Sequence, residues 1–477
     1  MNQVNGHRPK KALLGPQAHD RRDRARISVV GAGYVGLVTA VCLARLGHTV
    51  VCIETDRPRL AALRRGRVPF REPGLSELLA ETVASGALKL TDEFSDGIPQ
   101  AQFAFIAVNT PPSPGGRADT SFVLSAINSV LRSASPGLTI AVKSTVPPGT
   151  ADMIAGVASA SGKKVDVVSN PEFLREGSAC QDFFHPDRIV IGAAAVHAAR
   201  SVAALYAKIE APLVFSSRRS AEFAKYASNA ILAARISLVN ELASICEGVG
   251  ADIDEVVEAV ALDRRIGAEF LEVGLGWGGS CFPKDLAALI YTAEKHDLRP
   301  LVLSSVRSAN EAQGERTVRR LYAALSQVEG ATIGILGLAF KPGTDDIRGS
   351  PSLDIIRRLT NDYEFAIRAH DPLAIDSARK VLPDVRYCTN AYEVAAGCDA
   401  LVLATKWPEY LELDWALIRS RMRGNIVLDG RNALDGRFLR SSGFAYLSFG
   451  RSVDGLPFTE ALEAYTNTGL MAEMAAS

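Results

Sequence analysis

A cysteine followed closely by a lysine and an aspartate is the most reactive-looking group of side chains in this sequence. Cys281, Lys284 and Asp285 follow a stretch, residues 274–279, that contains four glycines. A free cysteine is more often an inert core residue, but glycines let a bulky ligand approach the backbone, and a nearby lysine stabilises a thiolate. The segment therefore predicts a reactive thiol, with Asp285 either a proton-transfer group or a helix N-cap.

A glycine motif near the start of the chain is typical of dinucleotide binding. Gly31, Gly33 and Gly36 follow an apolar strand and precede a helix. In this motif the first glycine permits a tight turn, the second lets the backbone approach a pyrophosphate and the third allows close helix–sheet packing. Glu54, at the end of the next strand, is placed to bind the adenosine ribose and disfavours a 2′-phosphate. The motif predicts NAD as cofactor, although two nearby arginines (Arg57 and Arg59) weaken the case against NADP.

Composition excludes several other classes of protein. The chain has 477 residues, 47% hydrophobic and 22% charged, which is typical of a soluble globular protein with several domains. Lys and Arg total 53 and Asp and Glu total 53, a balance that argues against a general nucleic-acid binder. Seven cysteines without a C-x-x-C pair argue against a disulfide framework or a zinc site. We therefore expect a cytoplasmic protein with no metal, nucleic-acid or membrane partner.

The fold class indicated by the pattern is α/β: two Rossmann-like doubly wound domains joined by a long central helix and a helical middle domain. Strands and helices alternate over residues 26–215, helical spacing dominates 216–328, and the alternation returns over 329–477. Residues 1–25 are interpreted as a flexible tail. The apolar stretch 27–46 contains three glycines and an arginine, so a strand, turn and helix explain it better than a signal peptide or anchor. We expect no other segment to be long and apolar enough to cross a membrane.

Sequence blocks spread along the chain carry a family resemblance. The chain resembles the nucleotide-sugar dehydrogenases of the UDP-glucose/GDP-mannose dehydrogenase family, most closely the group that oxidises UDP-glucose. The matching blocks are residues 31–37 (GAGYVGL), 71–75 (REPGL), 143–149 (KSTVPPG), 170–177 (NPEFLREG), 185–188 (HPDR), 263–267 (DRRIG), 278–285 (GGSCFPKD), 340–348 (FKPGTDDIR) and 429–431 (DGR). Their order, spanning nearly the whole chain, is far more specific than any one block.

The resemblance implies an NAD-dependent, four-electron oxidation of the C6 alcohol of UDP-glucose to UDP-glucuronate. The aldehyde would be captured by Cys281 as a thiohemiacetal, oxidised to a thioester and hydrolysed. Residues 26–215 would bind NAD and residues 329–477 the UDP-sugar. The resemblance assigns catalytic roles to Cys281, Lys225, Asn229, Asp285, Glu176, Glu172 and Thr145. Lys225 and Asn229, four residues apart on one helix face, would stabilise oxyanions; which acid is the general base stays open.

Binding residues are implied in the same way. Those for NAD are Gly31, Gly33, Tyr34, Val35, Gly36, Glu54, Thr110, Thr145, Glu176, Lys284 and Arg348. Those for the sugar nucleotide are Glu172, Phe173, Leu174, Lys225, Asn229, Arg265, Phe270, Gly278, Phe340, Lys341 and Arg431. Arg265 corresponds to an arginine that reaches a neighbouring subunit's substrate, which implies at least a homodimer built on the long helix.

Three alternatives remain at this stage. Two are dehydrogenases of the same chemistry that act on GDP-mannose or on a UDP-N-acetyl sugar. The third is a catalytically silent NAD-binding scaffold, against which Cys281, Lys225, Asn229 and Asp285 argue together, because a scaffold needs none of them. One departure from the family is Trp277, where Phe or Tyr is usual; it would keep an aromatic wall and could narrow the sugar pocket.

Overall fold

The computed structural model describes residues 24–451, so almost all of the predicted 1–25 tail lies outside the described residues. The first part alternates strands and helices: β1 (Arg26–Val30), α1 (Tyr34–Arg45), β2 (Thr49–Ile53), α2 (Arg57–Arg64), α3 (Leu75–Ala84), β3 (Leu88–Thr91), β4 (Phe103–Ile106), α4 (Ser121–Ser133), β5 (Thr139–Val142), α5 (Thr150–Ala160), β6 (Asp166–Ser169), α6 (Ala179–Phe184), β7 (Ile189–Ala193), α7 (Val196–Ala204) and β8 (Leu213–Ser216).

These strands form one sheet in the order β3-β2-β1-β4-β5-β6-β7-β8. The pairing is parallel except between β6 and β7, which run antiparallel. Strands β4 and β5 are buried along their whole length, as expected for a sheet covered by helices on both faces. The strand order reverses between β1 and β4, and ligands bind at the carboxyl edge of such a reversal.

Four helices form the middle of the chain: α8 (Arg218–Val249), α9 (Ile253–Ala261), α10 (Phe282–Lys295) and α11 (Leu301–Leu325). Helix α8 has 32 residues; Ser217 caps its start by accepting a hydrogen bond from the Ser220 N–H, and Gly250 ends it in the left-handed conformation (φ 74°). Its buried face carries Lys225 and Asn229, so this one helix positions two of the predicted catalytic side chains.

Helix α8 also corrects one expectation. Its length and its mean hydropathy of 1.2 satisfy the criterion for a membrane-spanning helix, which the sequence pattern had not indicated. The apolar window is 44% buried inside the protein, and the buried face holds Glu222 and Lys225. Such a half-buried helix with interior charges has the character of a core helix of a globular protein.

The last part repeats the α/β alternation: β9 (Thr332–Leu336), α12 (Pro351–Tyr363), β10 (Ala366–His370), α13 (Ile375–Arg379), β11 (Arg386–Tyr387), α14 (Ala391–Ala395), β12 (Ala400–Leu403), α15 (Pro408–Leu411), α16 (Trp415–Arg421), β13 (Ile426–Asp429), α17 (Gly436–Ser441) and β14 (Ala445–Leu447). The strands form an all-parallel sheet ordered β11-β10-β9-β12-β13-β14. Two doubly wound sheets joined by α8 and its neighbours confirm the predicted fold class; the exact domain boundaries stay predictions.

Candidate active site

The dinucleotide turn between β1 and α1 accepts only glycine. Gly31 has φ 97°, and a Cβ there would lie 2.7 Å from the Ala107 carbonyl oxygen. A Cβ on Gly36 would lie 2.0 Å from the Gly31 oxygen, so helix and turn are in direct backbone contact. Gly33 is the N-cap of α1, and the first amides of this helix have no intrahelical partner. The turn therefore offers free N–H groups and room for a pyrophosphate, which fits NAD.

Glu54 lies beside this turn, as predicted. Its Oε2 accepts a hydrogen bond of 2.9 Å from the Ala32 N–H, and its Oε1 accepts one of 2.9 Å from the Asp56 N–H. Arg59 Nη1 lies 3.1 Å from Glu54 Oε2. The carboxylate is thus fixed where an adenosine ribose would sit, with an arginine behind it.

Tyr34 links the dinucleotide turn to the loop that carries Glu176. Its hydroxyl donates to Glu72 in a short hydrogen bond, and the Gly177 N–H donates to the Tyr34 oxygen over 2.9 Å. Val35, the next residue, is half-buried and packs on the core of the first sheet. At the neighbouring strand ends, Thr110 Oγ1 donates to the Thr145 carbonyl over 2.9 Å, which joins the loops after β4 and β5.

Cys281 is the N-cap of α10, at the end of a loop wedged against the last domain. A Cβ on Gly278 would lie 1.9 Å from the Gly349 oxygen, and one on Gly279 would lie 2.8 Å from the Phe340 ring. These contacts leave no room for a side chain at Gly278 or Gly279. The four-glycine stretch therefore serves close packing of the thiol loop between domains.

A buried ion pair faces the thiol. Lys225 Nζ of α8 lies 3.0 Å from Glu172 Oε1, and both side chains are at most 6% exposed. Burial alone would lower the pKa of Lys225, but Glu172, Cys281 and Asp285 outweigh it and raise the pKa above its usual value. Burial likewise opposes ionisation of Glu172, yet Lys225 holds the pKa of this carboxyl below normal. Both groups are therefore charged at neutral pH.

Asp285 is held by two donors on either side. Asn229 Nδ2 donates to Asp285 Oδ2 over 2.6 Å, and Lys284 Nζ lies 2.5 Å from Asp285 Oδ1. Of its two alternative roles, the structure favours a group in the site over an N-cap, because Cys281 holds the N-cap position. Lys284 is thereby tied to Asp285, although its charge still acts on Cys281.

The Cys281 thiol is protonated in the free protein at neutral pH. Burial raises its pKa, and the charges of Lys225 and Lys284 oppose this only in part. The other cysteines are all buried, whereas Cys281 is partly accessible. Cys281 is thus the accessible thiol of the chain, but it needs a proton acceptor to react.

Glu176 is a carboxyl group that Ser280 connects to the thiol. Ser280 Oγ donates to Glu176 Oε1 over 2.9 Å and lies 3.6 Å from Cys281 Sγ. Burial, reinforced by the nearby Asp346 carboxylate, raises the pKa of Glu176 to about 7. Arg348 Nη2 lies 3.4 Å from Glu176 Oε1 and 2.7 Å from Asp346 Oδ2, so the last domain contributes to this cluster.

The predicted sugar-nucleotide residues fall into two groups. One group borders the loop that leads to Cys281. Phe340 packs on Gly279, and Lys341 Nζ lies 5.5 Å from the Phe340 ring. Arg431 approaches Gly274 so closely that a Cβ on this glycine would lie 3.0 Å from Arg431 Nη1. Burial lowers the pKa of Arg431 to about 10 and that of Lys341 below its usual range. Two half-buried cations at the domain junction suit a diphosphate.

The other group lies at the edge or elsewhere. Phe270, with φ 61°, stands 6.4 Å from the Phe282 ring, at the rim. Arg265 is 89% exposed and paired with Asp263, so within one chain it does not meet the thiol. Trp277 does not face the sugar side: its ring is buried among residues of α8 and α10, and Nε1 donates to Ser237 Oγ over 2.9 Å. The expected narrowing of the sugar pocket by Trp277 therefore has no direct contact to support it.

The predicted site loop at 172–174 is also held by Arg188, a residue for which no role was predicted. The Arg188 guanidinium stacks 3.8 Å from the Phe173 ring centroid, with Lys225 Nζ 5.5 Å from the same ring. Leu174 N donates to Glu172 Oε2 over 2.6 Å. Arg188 belongs to the HPDR block at residues 185–188, and its place in that block was the sequence signal that could have indicated a role in the site.

Lys143 and Ser280 are further residues without a predicted role. Lys143 is buried, and its Nζ donates to Asn170 Oδ1 over 3.2 Å; burial lowers its pKa to about 8. Both residues lie in sequence blocks that resemble the family, yet nothing in their side-chain types indicated which neighbour they bind.

Three domain descriptions of one family match the chain in order: "UDP-glucose/GDP-mannose dehydrogenase family, NAD binding domain" at residues 25–210, the central domain at 219–312 and the UDP binding domain at 334–436. A UDP-glucose 6-dehydrogenase of Rhizobium meliloti is 40% identical over 435 residues, covering 89% of this chain and 99% of that protein. UDP-glucose 6-dehydrogenase YwqF of Bacillus subtilis is 42% identical, covering 89% and 97%.

Solved structures agree with these matches. A UDP-glucose dehydrogenase from Pyrobaculum islandicum superposes with a TM-score of 0.85 at 39% identity, covering 92% of this chain and 100% of that one. A UDP-D-ManNAc dehydrogenase from Pyrococcus horikoshii superposes with a TM-score of 0.80 at 29% identity, covering 89% and 99%.

Proposed function

Because this chain belongs to the UDP-glucose/GDP-mannose dehydrogenase family, we propose that it oxidises the C6 alcohol of UDP-glucose to UDP-glucuronate with NAD. The observation that carries the proposal is the accessible Cys281 thiol at the junction of the NAD-binding and UDP-binding domains, facing the buried Lys225–Glu172 pair. The relatives named for UDP-glucose are 39–42% identical in the examples above, against 29% for the one named for UDP-D-ManNAc. UDP-glucose is therefore preferred to the other sugar nucleotides.

NAD accepts a hydride in each of the two oxidations. The chain's own part is to hold the cofactor on the Gly31–Gly33 turn, with Glu54 at the ribose. Thr110, Thr145 and Tyr34 lie at the same edge of the sheet and connect its loops. These residues would form the cofactor side of the cleft, and the last domain would form the substrate side.

The Cys281 sulfur adds to the C6 aldehyde and forms a thiohemiacetal, which the second oxidation converts to a thioester. Each tetrahedral state places negative charge on the C6 oxygen. Lys225 has three N–H bonds and Asn229 two on its amide nitrogen, so each keeps a free donor beside the bonds to Glu172 and Asp285. In a buried site such fixed donors stabilise the oxyanion strongly.

Hydrolysis of the thioester needs a base for water. Glu176 has a pKa of about 7 and is therefore half ionised at neutral pH, which suits proton transfer. Glu172 and Asp285 are both engaged with cations, so they orient Lys225, Asn229 and Lys284. Glu176 is assigned as the proton acceptor in this step.

A homodimer completes the proposal. The side of α8 away from the site exposes large apolar residues at helical spacing, which a second copy would cover. They are Phe223, Ile231, Leu238, Leu242, Ile245 and Val249. A partner seated there would bring its Arg265, which is exposed, towards the neighbouring sugar site. A cytoplasmic location is proposed because the reaction uses soluble substrates and a reactive thiol.

The test is the number of NADH molecules released per sugar nucleotide consumed, with UDP-glucose, GDP-mannose and UDP-N-acetylmannosamine offered separately. We expect two per UDP-glucose for the native protein and no net acid formation for Cys281→Ala. Cys246→Ala, a buried cysteine of α8, is the matched control and should keep the native ratio. If only another sugar nucleotide is turned over, the proposed substrate is wrong but the proposed chemistry stands. If none of the three yields NADH, the proposal that the protein is an enzyme is wrong.

A further inference from the structure

We propose that Ser280 is a catalytic proton relay, which carries the Cys281 thiol proton to Glu176 while the sulfur attacks the substrate aldehyde. The inference rests on the proposed function, because it concerns how the thiol of that reaction is activated. It adds a role for the residue that immediately precedes the nucleophile.

The direction of the hydrogen bonds carries the relay. The Ser280 hydroxyl donates to Glu176 Oε1 over 2.9 Å, which commits its single proton to the carboxylate. Its oxygen lies 3.6 Å from Cys281 Sγ, a contact in which either atom can donate; when Glu176 is ionised and holds the Ser280 proton, the thiol is the donor. The result is a chain from S–H through O–H to a carboxylate, with each proton already facing its next acceptor.

The other carboxylates at the site are committed elsewhere. Both oxygens of Asp285 are occupied, one by Asn229 and one by Lys284. Glu172 is bound to Lys225 and to the Leu174 N–H. Glu176 is the carboxyl joined to the sulfur side through a hydroxyl, and the side chain is only 13% exposed, so bulk water competes weakly for its proton.

The step balances in atoms and charge. As the bond from Sγ to C6 forms, the S–H bond breaks and its proton passes to Ser280 Oγ, while the hydroxyl proton passes to Glu176 Oε1. The aldehyde oxygen receives the electron pair of the C=O bond and becomes the oxyanion held by Lys225 and Asn229. The products are a thiohemiacetal anion and a neutral Glu176, with no change in oxidation state; Glu176 then releases this proton to water and is ionised again when it acts as the base in thioester hydrolysis.

The experiment measures alkylation of Cys281 by iodoacetamide against pH, in the full chain without substrate or cofactor. In the native protein the rate should rise with ionisation of Glu176, near neutral pH. Ser280→Ala should remove that rise and slow alkylation at pH 7.5 by at least about tenfold. This expectation is modest, because acid–base assistance contributes about 100-fold or more. Peptide mass spectrometry identifies the labelled cysteine. We expect the label on Cys281, because the other cysteines are buried.

Three variants keep the result interpretable. Ser280→Thr retains the hydroxyl and should restore the native pH profile. Glu176→Gln removes the acceptor and should reproduce Ser280→Ala. Ser178→Ala is the matched control: it lies on the same loop as Glu176, its hydroxyl contacts the Arg175 carbonyl and Asp182, and its profile should be native.

Other titratable groups set the background of this profile and stay unchanged across the variants. Those acting on Cys281 are Lys225 on α8, Glu172 on the loop after β6, Lys284 and Asp285 on α10, and Arg348 on the loop before α12. Those acting on or facing Glu176 are Asp346, Arg348, Lys341 and Tyr34.

The outcomes separate the relay from the function. If Ser280→Ala alkylates at the native rate with the native pH profile, the relay is wrong, even when the native enzyme releases two NADH per UDP-glucose. If the native protein releases no NADH from any sugar nucleotide, the proposed function fails, whatever the alkylation shows. A slow Ser280→Ala restored by Ser280→Thr supports the relay.

Discussion

Lys225 on α8 and Glu172 on the loop after β6 form an ion pair of 3.0 Å in which neither side chain is more than 6% exposed. The pair joins the central helix to the first sheet directly behind the thiol. Its two charges are far apart in the sequence and meet only through the fold, so the pair ties catalysis to the packing of α8.

We expect removal of one partner of this ion pair to lower the free energy of unfolding more than removal of both partners does. Glu172→Gln or Lys225→Met should each lower the free energy of unfolding by about 3–5 kcal/mol, because an unpaired charge remains buried. The double variant should regain part of that loss and stay inactive. Urea unfolding measures this, with the exposed pair Arg319–Glu315 as control, where a change below about 1 kcal/mol is expected. Equal small losses for both pairs would contradict the prediction.

Glu222 should make stability fall as pH rises. It accepts hydrogen bonds of 2.7 Å from the Gly149 and Ala151 N–H groups at the start of α5, and burial raises its pKa from 4.5 to about 7. Between these pH values the unfolded chain loses this proton and the folded protein keeps it, so ionisation favours unfolding. The shift corresponds to a loss of at most about 3 kcal/mol, complete above pH 7.

The measurement compares Glu222→Gln with the native protein. The native free energy of unfolding should fall between pH 4.5 and 7 relative to that of Glu222→Gln, which lacks the titrating group. A difference between the two proteins that does not vary with pH would show that Glu222 is not protonated in the folded state.

Glu54→Gln should shift cofactor preference towards NADP. Arg59, whose Nη1 lies 3.1 Å from the carboxylate, would keep only its longer 3.8 Å contact with Asp56 and become available to a 2′-phosphate, while the repulsion of that phosphate by Glu54 disappears. The ratio of kcat/KM for NADP to that for NAD should rise about tenfold, the effect of a modest charge interaction. In the double variant Glu54→Gln with Arg59→Ala, the increase in this ratio should vanish. An unchanged ratio in the single variant would argue that the ribose is bound elsewhere.

Asn310 of α11 should control where the thiol lies. Its side chain accepts a 2.8 Å hydrogen bond from the Trp277 N–H and donates a 3.0 Å bond to the Trp277 carbonyl, four residues before Cys281. Asn310→Ala releases this loop, so the aldehyde should escape capture and the NADH released per UDP-glucose should fall below two. Hydroxylamine trapping of free aldehyde is the second readout.

Glu311→Ala, an exposed neighbour on the same helix, is the control for Asn310→Ala and should keep the native ratio. A ratio of two NADH in Asn310→Ala would mean that Gln313 and Asn240, which bind Gly274, are sufficient to hold the loop.

By itself the amino-acid sequence determined the fold class and predicted the dinucleotide turn and, through the family resemblance, the nucleophile. The alternation of strands and helices and the long central helix were predicted because apolar periodicity and glycine positions are local properties of the chain. Gly31, Glu54 and Cys281 were recognisable because each belongs to a motif whose spacing follows from backbone geometry.

Only the tertiary structure decided which of these groups touch. The sequence placed Glu172, Glu176 and Asp285 as equivalent acids; the fold pairs Glu172 with Lys225, surrounds Asp285 with donors and buries Glu176 beside Asp346. The same is true of Trp277, whose ring turns into the helical core. Burial and long-range contacts fix protonation and orientation, and both depend on residues more than 50 positions apart in the chain, such as Asn229 and Asp285 at a separation of 56.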